Sequence, residues 1–143
     1  MPCVESDTLT THDWPFCASL MLGPWRSAVP WARNYALACL AQWELSSARD
    51  GVAICTSELV TNAVTASGTL TGGPFPVNLW LLADSTQVLI MVGDASAMPP
   101  GRRSPAEDEE GGRGLMLVEA FAARWSWSRY GRGKVVWALL DVP

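Results

Sequence analysis

The sequence predicts an α+β fold, a two-layer α/β sandwich in which helices cover one face of a mostly antiparallel mixed sheet. Two helical patterns follow each other in the N-terminal half, and two pairs of short apolar runs, each joined by a turn, come later. The chain has 143 residues, which suits one domain with a single core. We expect a loose segment at residues 1–13 and one domain at residues 14–143.

The N-terminal half predicts one strand and two helices. The run from Phe16 to Leu22 is apolar and ends at Gly23-Pro24, as expected of an edge strand. The stretch at residues 31–43 is rich in Ala and Leu and predicts a helix. A second helix is predicted at residues 47–67, with a capping-box-like start formed by Ser47 and Asp50.

The C-terminal half predicts two hairpins with a long loop and a short helix between them. Residues 77–82 and 87–92 flank a turn, and the second of these strands is apolar on both faces, which indicates a central position in the sheet. Residues 95–110 contain three prolines and show no periodicity, so we predict a functional lid at residues 97–110. A glycine-rich segment then leads into a short helix at residues 115–123, before the second hairpin.

Composition and charge exclude several classes of protein. Hydrophobic residues make up 49% of the chain and charged residues 17%, as in a compact protein rather than a disordered one. The net charge of −4 and the pI near 4.8 argue against direct nucleic-acid binding, which needs a basic face. No segment has the apolar length of a membrane span, and residues 1–13 lack a secretory signal, so we expect a cytoplasmic location.

The second predicted helix carries an acidic residue and an amide on the same side. Glu58 and Asn62 are four residues apart, so both side chains point the same way. They border an apolar arc of the helix, which consists of Val52, Cys55, Leu59, Val60 and Ala63. A half-buried carboxylate and an amide one turn apart suit a metal ion or a polarised water. For this pair alone, a solvated Glu and Asn on an amphipathic helix is the simpler interpretation.

Three elements occur in order along the chain. Glu58-Leu-Val-Thr-Asn62 lies on a helix, Asp94 ends a buried strand, and the segment from Gly112 to Leu115 starts a later helix. This ordered set resembles the GHKL (Bergerat-fold) ATP-binding domains and, within them, the bacterial anti-sigma-factor serine/threonine kinases. The resemblance covers about residues 16–141 and implies the Bergerat fold, with ATP and Mg²⁺ as cofactors.

The resemblance implies a role for each of these residues. Glu58 would be the catalytic base that acts on the nucleophile, and Asn62 would hold Mg²⁺ and thereby bind the nucleotide. Asp94 would accept a hydrogen bond from the amino group of adenine. The segment Gly112-Arg113-Gly114 would bind phosphates through the backbone N–H groups of its glycines, with Arg113 contacting the γ-phosphate.

The sequence departs from the family's pattern in two places. Asp94 is followed by Ala95-Ser96-Ala97-Met98, without the glycines of the family's first glycine box, so a modest affinity for nucleotide is expected. An acidic run at residues 107–110 precedes the predicted phosphate loop and would repel phosphates if it folded inward, whereas a solvated run would not.

The resemblance also implies partners. The protein would phosphorylate an anti-anti-sigma (STAS-type) partner, sequester a sigma factor in another state, and form a homodimer. Arg33 lies in the first helix among apolar residues and is predicted to anchor a partner, although a surface arginine lying over Trp31 fits the same pattern. His12 is the only histidine and is assigned no role, which argues against a sensor histidine kinase acting alone.

Two other hypotheses stay open at this point. The protein could hold nucleotide as a conformational ligand without transferring phosphate, or it could be an interaction protein that has lost nucleotide binding. In the second case Glu58 and Asn62 would be ordinary surface residues. ATP affinity separates the interaction protein from the other two hypotheses, and phosphate transfer to a partner separates those two from each other.

Overall fold

A computed structural model describes residues 12–101 and 108–143, and for residues 108–114 it describes the backbone alone. No helix in these ranges is long and apolar enough to cross a membrane. The elements of the described chain are, in order, β1 (Phe16–Leu22), α1 (Ala28–Gln42), a 3₁₀ turn (Ser46–Ala48), α2 (Arg49–Ser67), β2 (Val77–Ala83), β3 (Gln87–Asp94), α3 (Asp108–Phe121), β4 (Arg124–Tyr130) and β5 (Gly133–Asp141).

The strands form one sheet in the order β1–β2–β3–β5–β4. Every neighbouring pair within the described ranges is antiparallel, whereas the sequence predicted a mostly antiparallel mixed sheet. β1 lies at an edge and β3 in the middle, as predicted. The middle position follows from the apolar run of β3, because a strand with apolar side chains on both faces needs cover on both.

The helices cover one face of the sheet, which confirms the predicted α+β sandwich. Alternate residues of β2, β3 and β5 point toward α1 and α2 and form the main core with the apolar sides of these helices. The opposite face carries a second, smaller apolar cluster, made of Trp14, Leu82, Leu89, Met91, Val135, Trp137 and Leu139. Side chains that leave the central strands on either face are therefore buried.

All three predicted helix starts differ from the structure. α1 begins at Ala28 rather than at residue 31, so Pro30 lies within its first turn. α2 begins at Arg49 after the 3₁₀ turn, and Ser47 does not cap it but donates its hydroxyl to the carbonyl of Pro143. α3 begins at Asp108 rather than at residue 115, so the predicted glycine-rich turn lies inside the helix. The helix dipole favours acidic residues in the first turn, which explains why Asp108, Glu109 and Glu110 start this helix.

Two predicted segments lie partly outside the described residues. Of the loose segment expected at residues 1–13, positions 1–11 lie outside them, and of the lid predicted at residues 97–110, positions 102–107 do. Residues 108–110 belong to the first turn of α3, so the connection after β3 is shorter than predicted at its C-terminal end.

Candidate functional site

Helix α2 presents the predicted acid–amide pair at the edge of its apolar side. The apolar arc of this helix is confirmed, because all five of its residues are buried: Val52, Cys55, Leu59, Val60 and Ala63. Burial raises the pKa of the Cys55 thiol to about 12 and the Glu58 carboxylate adds to the rise, so this thiol is a packing group rather than a nucleophile. Glu58 and Asn62 are half-buried beside the arc, where they remain open to solvent.

Glu58 and Asn62 line one cleft of about 660 Å³. Other parts of its wall come from the turn between β1 and α1 and from the start of α1, and they include Trp25, Arg26 and Val29. The indole of Trp25 is 60% exposed, so it stands at the cleft without belonging to the core. A volume of this size is typical of small-molecule sites. The cleft thus combines a carboxylate, an amide, a guanidinium and an aromatic ring.

Asp94 ends β3 on the face of the sheet that the helices cover. Its Oδ1 atom lies 3.0 Å from Nζ of Lys134, its cross-strand neighbour in β5. Both side chains are buried, with 1% of Asp94 and 3% of Lys134 exposed. Burial raises the pKa of the Asp94 carboxyl, and the positive charge of Lys134 opposes that rise. Asp94 is therefore held in a buried ion pair.

The chain turns directly after β3 and supplies a second donor to the same carboxylate. The N–H of Ser96 donates to Asp94 Oδ1 at 2.8 Å, and Lys134 Nζ donates to the carbonyl of Ser96 at 3.3 Å. This is an Asx-type turn, in which an aspartate side chain bonds to the backbone two residues on. None of the four residues that replace the family's glycines, all of them described, has a positive φ. The turn therefore needs no glycine, and Ala95-Ser96-Ala97-Met98 suits it.

A glycine at position 133 allows the β4–β5 turn to approach Asp94 closely. A Cβ atom at Gly133 would overlap the backbone carbonyl oxygen of Asp94. Any side chain at this position would push the ends of β3 and β5 apart. Gly133 therefore permits the close strand pairing that places Lys134 next to Asp94.

The structure brings some predicted residues together and separates others. Glu58 and Asn62 share the cleft on α2, whereas Asp94 borders a different cavity of about 220 Å³ at the end of the sheet. The segment Gly112-Arg113-Gly114 lies inside α3, where backbone N–H groups after the first turn bond within the helix. This differs from the predicted phosphate loop, and the binding role of these three residues stays a prediction.

Arg33 makes a contact that the sequence did not indicate. Its Nη1 atom donates to Oγ of Ser57 at 3.2 Å, between α1 and α2, in a half-buried position. Ser57 directly precedes Glu58, so Arg33 links the first helix to the helix that carries the acid–amide pair. Its role in binding a partner stays a prediction.

A family model described as the histidine kinase-like ATPase domain matches residues 26–140, which include α1, α2, the central strands and both parts of the site. The chain belongs to this family. Membership agrees with the GHKL-type fold seen here and supports ATP binding in a regulatory protein. No individual curated protein matches the chain.

The polar groups of the cleft fit a nucleotide that carries Mg²⁺. Magnesium prefers oxygen ligands, keeps several waters, and is usually bound by one or two protein groups together with phosphates. Glu58 and Asn62 offer such oxygens, and the described parts of the chain contain no cluster of three His, Cys, Asp or Glu that could hold a metal ion unaided. The guanidinium of Arg26 suits phosphate oxygens. The oxygens of Glu58 and Asn62 therefore suit a Mg²⁺ ion that takes its other ligands from water and from the phosphates of a nucleotide.

Two residues of the site were not predicted. Lys134 had a sequence signal, because a lysine at the start of the apolar run Val-Val-Trp-Ala-Leu-Leu has to find a partner once the strand is buried. Arg26 had no sequence signal, because its place at the cleft depends on how the β1–α1 turn packs against α2.

Proposed function

We propose that this protein is an ATP-dependent regulatory kinase of the anti-sigma-factor type, with its catalytic groups on α2. One observation carries the proposal: Glu58 and Asn62 lie together in an open cleft, on a helix inside the stretch that matches the ATPase family. The protein would phosphorylate a STAS-type anti-anti-sigma protein and would bind and sequester a sigma factor. It would act as a homodimer. These partners are inferred from the family resemblance.

Each residue of the cleft has a chemical task in this proposal. When bound, ATP would supply the phosphoryl group, and Mg²⁺ would neutralise negative charge on its phosphates. The amide oxygen of Asn62 would hold the metal, and Arg26 would add positive charge at the same cleft. Glu58, one helical turn from Asn62, would accept the proton of a serine or threonine hydroxyl as that oxygen bonds to the γ-phosphorus of ATP and ADP leaves.

The remaining predicted residues extend the site beyond the cleft. Asp94 accepts a hydrogen bond from the adenine amino group at the end of β3, on the sheet face covered by α2. Arg113 is proposed as a contact to the γ-phosphate because its helix, α3, packs against α2.

Two variants of the same cleft separate binding from chemistry. Glu58→Gln should bind ATP and Mg²⁺ within about threefold of wild type but lose phosphoryl transfer by about 10²–10⁴-fold, because a general base acts in the transition state. Asn62→Ala should weaken Mg²⁺-dependent ATP binding by about tenfold or more, because it removes a metal ligand. Calorimetric titration measures the binding, and γ-phosphate transfer to a STAS-type protein measures the chemistry.

Thr65→Ala is the matched control for both variants. Thr65 lines the same cleft, but its hydroxyl bonds to the carbonyl of Thr61 within the helix, so its loss should change neither binding nor transfer. Equal loss of ATP binding in Glu58→Gln and Asn62→Ala would contradict the division of roles. A wild-type chain that binds no ATP would make the interaction protein the correct hypothesis.

A second candidate function is nucleotide binding without transfer. It is favoured by the position of Gly112-Arg113-Gly114 inside α3, where the glycine N–H groups are not arranged as a phosphate loop. Under this alternative, nucleotide would stabilise one conformation of a protein that regulates transcription through its partners. Wild-type protein that binds ATP tightly but transfers no phosphate to any STAS-type protein would favour it.

Arg33 offers a test of the proposed partners. Arg33→Ala should weaken capture of a sigma factor or a STAS-type protein by about 2 kcal/mol, as expected of an interface anchor. It should also lower the free energy of unfolding by about 0.5–1.5 kcal/mol, because its hydrogen bond to Ser57 is lost. Ser57→Ala removes the same hydrogen bond but keeps the guanidinium, so it should share only the loss of stability. Normal partner binding by Arg33→Ala would remove this residue from the interface.

A further inference from the structure

The buried pair Asp94–Lys134 is the most unusual charged feature within the described residues. Lys134 stands at the start of a central strand and directs its ammonium to the one residue that the family resemblance assigns to adenine. It contacts two acceptors of the same turn, the Asp94 carboxylate and the Ser96 carbonyl. A buried ammonium with two fixed acceptors has a defined position, so the carboxylate it holds has one as well.

The two oxygens of Asp94 have different surroundings. Oδ1 accepts from both Lys134 Nζ at 3.0 Å and the N–H of Ser96 at 2.8 Å. In the described part of the chain, both of these donors bond to Oδ1 and neither bonds to Oδ2. An ionised carboxylate has about four lone-pair sites, so a carboxylate held through Oδ1 can accept a further donor through Oδ2. Oδ2 is therefore the oxygen through which the fixed carboxylate could accept a hydrogen bond from a ligand.

We propose that Lys134 is a positioning residue that keeps Asp94 ionised and oriented, so that the site accepts a 6-aminopurine and disfavours a 6-oxopurine. The inference rests on the proposed function, because it concerns the purine end of the same nucleotide site. An ionised carboxylate can only accept hydrogen bonds, so it pairs with the amino group at C6 of adenine. Hypoxanthine, a 6-oxopurine, bound in the same position would place its C6 oxygen against the Asp94 carboxylate. Both groups accept hydrogen bonds, so neither would find a donor.

Removing the lysine should change the chemistry of the aspartate. Burial raises the pKa of Asp94, and the charge of Lys134 opposes this, so a neutral residue at position 134 should raise the pKa further. The other charged residue at the cavity that Asp94 borders is Arg132, in the β4–β5 turn, which is exposed and therefore weakly coupled. A protonated Asp94 carries an O–H donor and no longer discriminates between the two purines.

The experiment compares wild type with Lys134→Met and Lys134→Arg, using ATP and inosine triphosphate with Mg²⁺. Wild type should prefer ATP by about tenfold or more, because the wrong base leaves a buried acceptor unpaired. Lys134→Met should lose about tenfold in ATP affinity at pH 7, and its preference should fall to within about threefold. Lys134→Arg keeps the charge and should retain the preference for ATP.

A second readout does not depend on nucleotide. Carbon-13 NMR of the aspartate carboxyls should show Asp94 ionised at pH 7 in wild type and in Lys134→Arg, and protonated at pH 7 in Lys134→Met. If Lys134→Met does not fold, Lys134→Gln replaces it, because an amide can still donate to Oδ1 without carrying a charge. Thermal unfolding of every variant identifies which of them are folded.

The outcomes distinguish this inference from the proposed function. An Asp94 that stays ionised in the neutral variant, or an unchanged preference for ATP, would assign Lys134 to structure alone and overturn the inference. A wild-type chain that binds neither nucleotide would overturn the proposed function and the purine selectivity with it. Loss of preference together with protonation of Asp94 supports the positioning role, since a merely structural lysine would change neither.

Discussion

Asp84 precedes strand β3 and Asp94 is its last residue, and the two carboxylates have different surroundings. Asp84, in the β2–β3 turn, accepts three hydrogen bonds on Oδ1, from the N–H groups of Thr86 and Gln87 and from the Thr86 hydroxyl. Its Oδ2 atom lies 2.9 Å from Nε2 of His12. Asp94, at the other end of the strand, is buried and relies on Lys134 and one backbone N–H.

The pKa values of the two carboxyls move in opposite directions. Burial acts to raise both, but at Asp84 the hydrogen bonds from Thr86, His12 and Gln87 outweigh it and lower the pKa to about 2. At Asp94 burial outweighs the opposing effect of Lys134, and the pKa is raised. Asp84 therefore stabilises the fold when it is ionised, whereas Asp94 carries a charge that is unfavourable for folding, as residues of functional sites often do. Asp84 thus stabilises the β2–β3 turn, whereas the role of Asp94 in nucleotide binding stays a prediction.

The largest expected effect comes from breaking the buried pair at Asp94. Asp94→Ala should lower the free energy of unfolding by about 3–5 kcal/mol, because it leaves the ammonium of Lys134 buried without a counter-ion. The double variant Asp94→Ala/Lys134→Met should recover most of this loss, because two neutral side chains bury no charge. Urea unfolding of the wild type, both single variants and the double variant gives the coupling energy. Losses that simply add would show that the ion pair contributes nothing of its own.

A smaller effect is expected at Asp84, and it depends on pH. The carboxyl of Asp84 has a folded pKa near 2 against an ordinary value of 3.8, so its contribution is present above about pH 4 and is lost as the pH falls toward 2. Asp84→Asn should therefore lower stability by about 1–2 kcal/mol at pH 7, allowing for partial solvent screening. The two unfolding curves should converge near pH 2. The exposed Asp13, changed to Asn, serves as control, and a loss at Asp84 that did not vary with pH would mean that its charge is irrelevant.

The smallest effect is expected at His12, to which the sequence assigned no role. Its ring contacts both the Asp84 carboxylate and, edge to face, the indole of Trp14 at 4.5 Å between centroids. His12→Ala removes one of the four interactions of Asp84 and should cost about 0.5 kcal/mol at pH 7. In the Asp84→Asn background the same change should cost still less. A larger loss there would indicate that His12 acts through Trp14 and not through the aspartate.

The sequence predicted well those elements whose signal is local. β1 was predicted with its observed bounds because the apolar run is closed by Gly23-Pro24, and β3 was placed centrally because it is apolar on both faces. The half-buried positions of Glu58 and Asn62 followed from helical periodicity alone. In each case the prediction depends only on residues that are close together in the sequence.

The features that were missed depend on residues far apart or on competing local signals. Glycines 111, 112 and 114 favoured a turn, but the acidic residues before them favour the first turn of a helix, and α3 starts at Asp108. The bond from Ser47 to Pro143, which replaces the predicted cap, joins two residues that are 96 positions apart in the chain. The contact of Lys134 with Asp94 requires the register of β3 against β5, which periodicity does not give.

The close approach of Gly133 to the backbone of Asp94 limits how these positions can evolve. Asp94 and Lys134 are 40 positions apart in the chain, yet a substitution at either one alone leaves a buried charge. Among descendants of a common ancestor, the two codons should therefore change together, through a less stable intermediate, or remain as they are. Gly133 limits the allowed substitutions further, because the Cβ atom of any other residue at this position would overlap the Asp94 backbone. Three codons in two distant parts of the gene are thus expected to evolve as one unit, and an alignment of relatives would reveal them as a correlated set.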